Sequence, residues 1–152
     1  MKINSLICIF LLAIALVDAN HYSCGVIPCG VGRICLTLRG FCSCVEIPHC
    51  LDVVLTSRVM AQWNDNSGRR FTQYDVSITN YLDVDITQIF IGTDCTLQLR
   101  DYDSLWNVLR LPNGELTLPS YQRSINKNAS YTFGFIVVGD RLPNMAILAV
   151  TY

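Results

Sequence analysis

The chain has 152 residues, 51% of them apolar and 15% charged, and a formal net charge of −1. That length supports one domain of ordinary size with a small appendage, not two full cores. The near balance of 11 Lys and Arg against 12 Asp and Glu excludes a polybasic nucleic-acid binder, and the abundance of branched and aromatic residues excludes intrinsic disorder.

The chain opens with Lys2 and an unbroken apolar run, Leu6–Val17, followed by Val17-Asp18-Ala19. Twelve helical residues rise only about 18 Å, short of the roughly 30 Å hydrocarbon core of a bilayer. Residues 1–19 are therefore read as a cleaved secretory signal and not as an anchor. The mature chain is expected to be secreted, with no membrane segment.

Cys8 leaves with that signal. Six of the other seven cysteines, Cys24, Cys29, Cys35, Cys42, Cys44 and Cys50, crowd into residues 24–50 with the spacing C-x4-C-x5-C-x6-C-x-C-x5-C. In a secreted chain such density reads as a disulfide framework, because so short a segment cannot bury a core alone. Spacing does not choose among the possible pairings. Zinc is the rival reading, with His49 beside Cys50, but no paired C-x2-C knuckle is present, so no metal is assigned. Cys95 is left over. It is either a buried thiol in a strand, the favoured reading, or a tether to the cysteine-rich segment.

The run Cys24-Gly25-Val26-Ile27-Pro28-Cys29-Gly30-Val31-Gly32-Arg33-Ile34-Cys35, followed by Cys42-Ser43-Cys44, resembles the follistatin-like, EGF-like hairpin modules of extracellular proteins. The resemblance implies first-to-third and second-to-fourth bridges, Cys24–Cys35 and Cys29–Cys42, leaving Cys44 and Cys50 to pair with each other or elsewhere. The larger second half of a follistatin module is absent.

Beyond Cys50 the texture changes to short runs rich in Val, Ile, Thr, Tyr and Phe. Val53–Trp63 is the first candidate strand. Tyr74, Val76 and Ile78 alternate with Gln73, Asp75, Ser77 and Thr79, the period of a half-buried strand. Ile86–Ile91 follows, then Leu97 and Leu99 alternating with Thr96, Gln98 and Arg100. Tyr131, Phe133, Phe135 and Val137 line one face of another strand, and Met145, Ile147 and Ala149 begin one face of the last. Turn signals separate them: Asn64–Gly68, Pro112-Asn113-Gly114, Asn126-Lys127-Asn128, Gly139-Asp140 and Pro143-Asn144. The predicted fold is all-β: an antiparallel β-sandwich over residues 53–152, preceded by a small disulfide-rich hairpin module over residues 20–50.

Catalytic patterns are missing. The two histidines, His21 and His49, both lie in the N-terminal region, and no G-x-S-x-G elbow, phosphate-binding loop or H-E-x-x-H is present. The pairs Asp83/Asp85 and Asp101/Asp103 would serve a hydrolase only by sharing a cleft, and offer too few oxygens for calcium. No enzyme activity and no cofactor are expected.

The aromatic residues carry more. Trp63 sits beside the polar turn Asn64–Gly68, Trp106 within Asp101-Tyr102-Asp103-Ser104-Leu105-Trp106-Asn107, and Tyr121 after Leu118-Pro119-Ser120. An exposed amphipathic ring covers the apolar C–H face of a sugar while its N–H or O–H stays hydrated. Trp63, Trp106 and Tyr121 are the candidate stacking residues, and Tyr102 is a weaker fourth. Phe133, Phe135 and Tyr74 are assigned to the core.

Gln62-Trp63, Tyr74–Asn80, Leu105-Trp106-Asn107, Leu118-Pro119-Ser120-Tyr121, Asn128–Phe135 and Ala149-Val150-Thr151-Tyr152, in that order, resemble carbohydrate-binding module family 49. That family includes the C-terminal cellulose-binding domain of some plant endoglucanases and secreted proteins of cellulose-walled amoebae. The resemblance implies a sandwich that binds cellulose or a related β-glucan without cutting it, in an extracellular matrix or a spore, stalk or cyst wall. Plant members typically carry Trp where this chain has Tyr121. The cysteine-rich segment would then contact other matrix proteins. The alternative is an extracellular protein–protein interaction module without glycan binding. Asn128-Ala129-Ser130 is a sequon, which makes Asn128 the candidate glycosylation site.

Overall fold

The computed structural model describes residues 22–152. The expected signal, residues 1–19, lies outside them. The strands in chain order are β1 (Ser23–Cys24), β2 (Ile27–Pro28), β3 (Arg33–Leu38), β4 (Phe41–Glu46), β5 (Val53–Asn64), β6 (Arg70–Asn80), β7 (Gln88–Thr93), β8 (Leu105–Trp106), β9 (Leu109–Arg110), β10 (Leu116–Thr117), β11 (Ser130–Val138) and β12 (Met145–Thr151), with a 3-10 turn at Ile47–His49. They form a six-stranded sheet in the order β4-β3-β12-β7-β10-β9, a four-stranded sheet in the order β5-β6-β11-β8, and the small β1–β2 hairpin.

The sandwich follows from the alternation. On β6, Tyr74, Val76 and Ile78 are buried while Gln73, Asp75, Ser77 and Thr79 are half-exposed. On β11, Phe133, Phe135 and Val137 face the same way. They meet Ile34 and Leu36 of β3, Ile89 and Ile91 of β7, Leu116 of β10, and Ile147 and Val150 of β12 in one apolar core. Fully burying a side chain of this size stabilises by about 1.5–3 kcal/mol relative to exposing it. Tyr74 and Phe135 also pack ring to ring at 5.5 Å.

The cysteine-rich segment is built into this body. β3 pairs in parallel with β12, Cys35 opposite Ala149 and Thr37 opposite Thr151, and so adds the β3–β4 hairpin to the edge of the six-stranded sheet. Every other strand pair among the described residues is antiparallel.

Three local expectations are corrected. The alternation at Leu97 and Leu99 yields a turn and a single bridge, Leu99 with Val137, instead of a strand. A bulge between Ile147 and Ala149 turns Ala149 to the outer face and brings Val150 into the core; an extra residue on one strand reverses the period-two pattern beyond it. Ile86 bridges Ile125 ahead of β7 and lies outside that strand.

The disulfides differ more. Within the cysteine-rich segment the bridges among the described residues are Cys24–Cys42 and Cys29–Cys44, separated by 18 and 15 residues, while Cys35 and Cys50 are buried free thiols. The implied bridges Cys24–Cys35 and Cys29–Cys42 are therefore overturned, as are disulfide roles for Cys35 and Cys50. The cause is the β3–β4 register. Cys35 and Cys44 face each other directly, and both bridges from the overlying β1–β2 segment land on β4 instead of β3. Cys50 turns into the main core. Cys95 sits half-buried on a turn after β7 and is disulfide-bonded, which overturns the expected free thiol in a strand.

Candidate functional site

The outward face of the four-stranded sheet gathers most of the candidate residues. Register places Thr56, Arg58, Ala61 and Trp63 of β5 beside Ser77, Asp75, Gln73 and Phe71 of β6, and these beside Thr132, Gly134, Ile136 and Val138 of β11. Trp106 of β8 stands opposite Gly134. The face is thus a polar central field with a tryptophan on each edge strand. Ser77 and Thr132 share a hydroxyl–hydroxyl hydrogen bond of 2.9 Å, as do Thr79 and Ser130. Cross-strand pairs of this kind hold the small polar side chains in fixed positions.

Gly134 is what admits Trp106. A Cβ there would stand 2.4 Å from Cζ2 and 2.5 Å from Cε2 of the indole, so no other residue fits without moving the ring. The indole lies across the missing side chain, half-buried, with the polar field beside it. Asn107 follows in the left-handed conformation at φ 63°. Its Nδ2 donates to Thr132 O at 3.3 Å, and its backbone oxygen accepts from the Tyr131 hydroxyl at 2.8 Å. Tyr121 donates to Asn107 Oδ1 at 3.4 Å. Burial, and then the neighbouring Tyr121 hydroxyl, pushes Tyr131 up to about 12, so it remains a neutral donor. Asn107 therefore links Trp106, Tyr121 and Tyr131. Its spacing from Trp106 was legible in the sequence, but its linking role depends on the turn.

Trp63 is fixed from the other edge. Its ring packs on Phe71 at 6.0 Å, and the Arg69 guanidinium lies 5.3 Å from the Phe71 centroid. The turn behind it is organised by Asp65, whose Oδ1 accepts from Ser67 N at 2.8 Å, Ser67 Oγ at 2.6 Å and Arg69 N at 2.9 Å. The Ser67 hydroxyl, then the Arg69 amide, hold the Asp65 carboxyl down at about 2. From strand spacings the two indoles stand roughly 20 Å apart along the sheet diagonal, a span suited to a polymer and not to a monosaccharide.

Tyr102 is 96% exposed on a short excursion, residues 101–103, looped out between Arg100 and Ser104. Both of these hydrogen-bond to Ile136 of β11. Tyr121 is 70% exposed. Asn128 is exposed in the loop before β11, at φ 53°, close in sequence to Ser130 of the polar field.

The acid pairs are taken up in loops. Asp83 pairs with Lys127 Nζ at 3.1 Å and Asp85 accepts from Lys127 N at 2.8 Å. Asp101 accepts from Ser104 and then Arg100, which draw its carboxyl below the usual range. His49 is exposed, 3.3 Å from Glu46. The two three-sulfur groups among the described residues, Cys24/Cys35/Cys42 and Cys24/Cys29/Cys44, each contain both halves of a disulfide, whose sulfurs carry no thiolate charge for a cation. No helix of the described residues is long and apolar enough to cross a membrane.

Residues 53–138 match the model of the carbohydrate-binding domain CBM49. The chain is 49% identical over 147 residues to stalk-specific protein A of Dictyostelium discoideum, covering 93% of this chain and 94% of that one. It is 48% identical to stalk-specific protein B of the same organism, with the same coverage. Among solved structures it is similar to chitinase ChiA74 from Bacillus thuringiensis at 17% identity and a TM-score of 0.46, spanning 70% of this chain and 16% of that one.

Proposed function

Since the chain belongs to the CBM49 family of carbohydrate-binding domains, we propose that it is a secreted, non-catalytic protein that binds cellulose or a related β-glucan in an extracellular matrix or wall. The outward face of the four-stranded sheet is the binding surface in this reading. Trp106 and Trp63 stack on sugar rings, Tyr121 extends the row, and Tyr102 adds a peripheral contact. The hydroxyls of Thr56, Ser77 and Thr132 and the charged groups of Arg58 and Asp75, neighbours across β5 and β6, meet the sugar hydroxyls. The observation that carries this reading is the Gly134–Trp106 contact: a strand position kept free of a side chain so that an indole can lie beside a polar field.

The disulfide-rich segment, residues 20–50, is assigned to contacts with other matrix proteins. Val26 is 98% and Phe41 83% exposed at its hairpin tips, positions where large apolar groups favour a protein partner. Asn128, on the loop beside β11, is the assigned glycosylation site, and the chain takes neither nucleic acid nor a membrane as partner.

The test is retention of the purified, oxidised protein on microcrystalline cellulose beside chitin and xylan, with released sugar assayed. Selective retention on cellulose without release is the expected outcome. No retention on any glycan from a folded sample would remove the sugar reading and leave a protein-binding face.

A further inference from the structure

The outer face of the six-stranded sheet carries a five-sulfur cluster that the sugar reading does not use. β1 and β2 lie over this face, where Cys29, Cys35 and Ala149 are buried together with Tyr22, Cys24, Cys44 and Phe90 packed around them. The Cys35 thiol lies beneath the Cys24–Cys42 bridge, 3.4 Å from Cys42 Sγ and 4.0 Å from Cys24 Sγ. A free thiol in van der Waals contact with a disulfide sulfur is within reach for thiol–disulfide exchange. These distances set the Cys35 sulfur at roughly a right angle to the Cys42–Cys24 bond, so a side-chain rotation that brings it into line precedes the attack. The Cys24 and Cys29 sulfurs are themselves 4.0 Å apart.

We propose that the cluster is an exchangeable latch in which Cys35 displaces Cys24 from Cys42. The Cys35 thiol loses its proton, and its sulfur attacks Cys42 Sγ. A Cys35–Cys42 bond forms as the Cys24–Cys42 bond breaks, and the electron pair leaves on Cys24, which takes up a proton. One disulfide and one thiol enter, and one of each leaves, so no oxidant or reductant is consumed. The product ties β3 to β4 within their own hairpin and releases β1, leaving the β1–β2 segment held by Cys29–Cys44. Strand β1 is then free to lift from the sheet at Cys24, and Cys24 becomes a thiol open to modification or to a mixed disulfide with another molecule. Burial pushes the Cys35 thiol up, which sets the exchange on the slow timescale of uncatalysed rearrangement, minutes to hours. Cys50, the other free thiol among the described residues, is buried in the main core and takes no part.

The experiment follows the oxidised full-length mature protein, held without oxygen near pH 8, by timed N-ethylmaleimide labelling and disulfide mapping by mass spectrometry. The expected result is label accumulating on Cys24 over hours, matched by growth of a Cys35–Cys42 linked peptide. Cys35→Ser loses the Cys24 label and keeps Cys24–Cys42 alone, whereas Cys50→Ser labels at Cys24 like the parent. Label confined to cysteines other than Cys24, with Cys24–Cys42 unchanged throughout, overturns the proposal, and the parent protein alone suffices to show it. Label arriving on Cys42 instead of Cys24 overturns it as well, because the attacked sulfur would be the wrong one. Cellulose retention is measured in parallel and stays constant through the exchange, since the cluster lies on the opposite face. Failure of the latch and failure of the sugar reading are thus told apart.

Discussion

The two sheets share one core but finish their outer faces in different ways. The four-stranded sheet leaves its face open, so β6 alternates cleanly between buried Tyr74, Val76 and Ile78 and half-exposed Gln73, Asp75, Ser77 and Thr79. The six-stranded sheet is roofed near β3 by the β1–β2 segment, and there Ile34, Cys35 and Leu36 are buried in succession. A strand covered on both sides loses its alternation, and with it the simplest sequence signal of which side faces solvent. The open face keeps its polar field and its indoles for a ligand, while the roofed face commits its side chains to packing and disulfides.

The comparison breaks most visibly if the roof is removed. Replacing Cys42 and Cys44 together by Ser deletes both bridges, each worth roughly 3 kcal/mol for loops of this length. The thermal unfolding midpoint should fall by many degrees while retention on cellulose, measured below that midpoint, stays as in the parent. Lost retention from the folded variant would show that the two faces are coupled.

Substitutions on the open face should do the reverse. Trp106→Ala is expected to weaken cellulose retention by about tenfold, corresponding to roughly 1.4 kcal/mol, with little change in unfolding because the ring is only half-buried. Equal retention would take Trp106 out of the surface. Gly134→Ala sharpens the same point: its Cβ needs the space of the indole, so retention should drop although no aromatic group is lost. Tyr121→Ala should cost less than Trp106→Ala, since a single exposed phenol with a 3.4 Å hydrogen bond is at stake, and Tyr102→Ala less again. A cellulose binding isotherm for each variant checks the order.

The smallest effect concerns the hairpin end beside Trp63. The folded Asp65 carboxyl is held at about 2 against an ordinary value of 3.8, first by the Ser67 hydroxyl and then by the Arg69 amide. A depressed folded value means that the stabilisation is present above the ordinary value and is lost as pH falls through the folded one. The stability difference between parent and Asp65→Asn should therefore shrink as pH is lowered from about 4 to about 2. A difference that stays constant across that window in thermal unfolding curves would show that the charge does not hold the turn.

The sequence by itself determined the all-β class, the strands β5, β6 and β11, and the placing of Phe133, Phe135 and Tyr74 in the core. Period-two alternation and turn residues are local, and on an open face nothing overrides them. It also singled out Trp63, Trp106 and Tyr121, as large rings among polar neighbours, without showing that a glycine on another strand makes room for one of them or that Asn107 links two of them. Only the tertiary structure decided the parallel pairing of β3 with β12, the outward turn of Ala149 and the partners of the cysteines. Each depends on register between segments far apart in the chain: a shift of one residue moves Ala149 across the sheet, and the pairing of Cys35 with Cys44 across β3 and β4 puts both bridges on β4 and leaves Cys35 as a thiol.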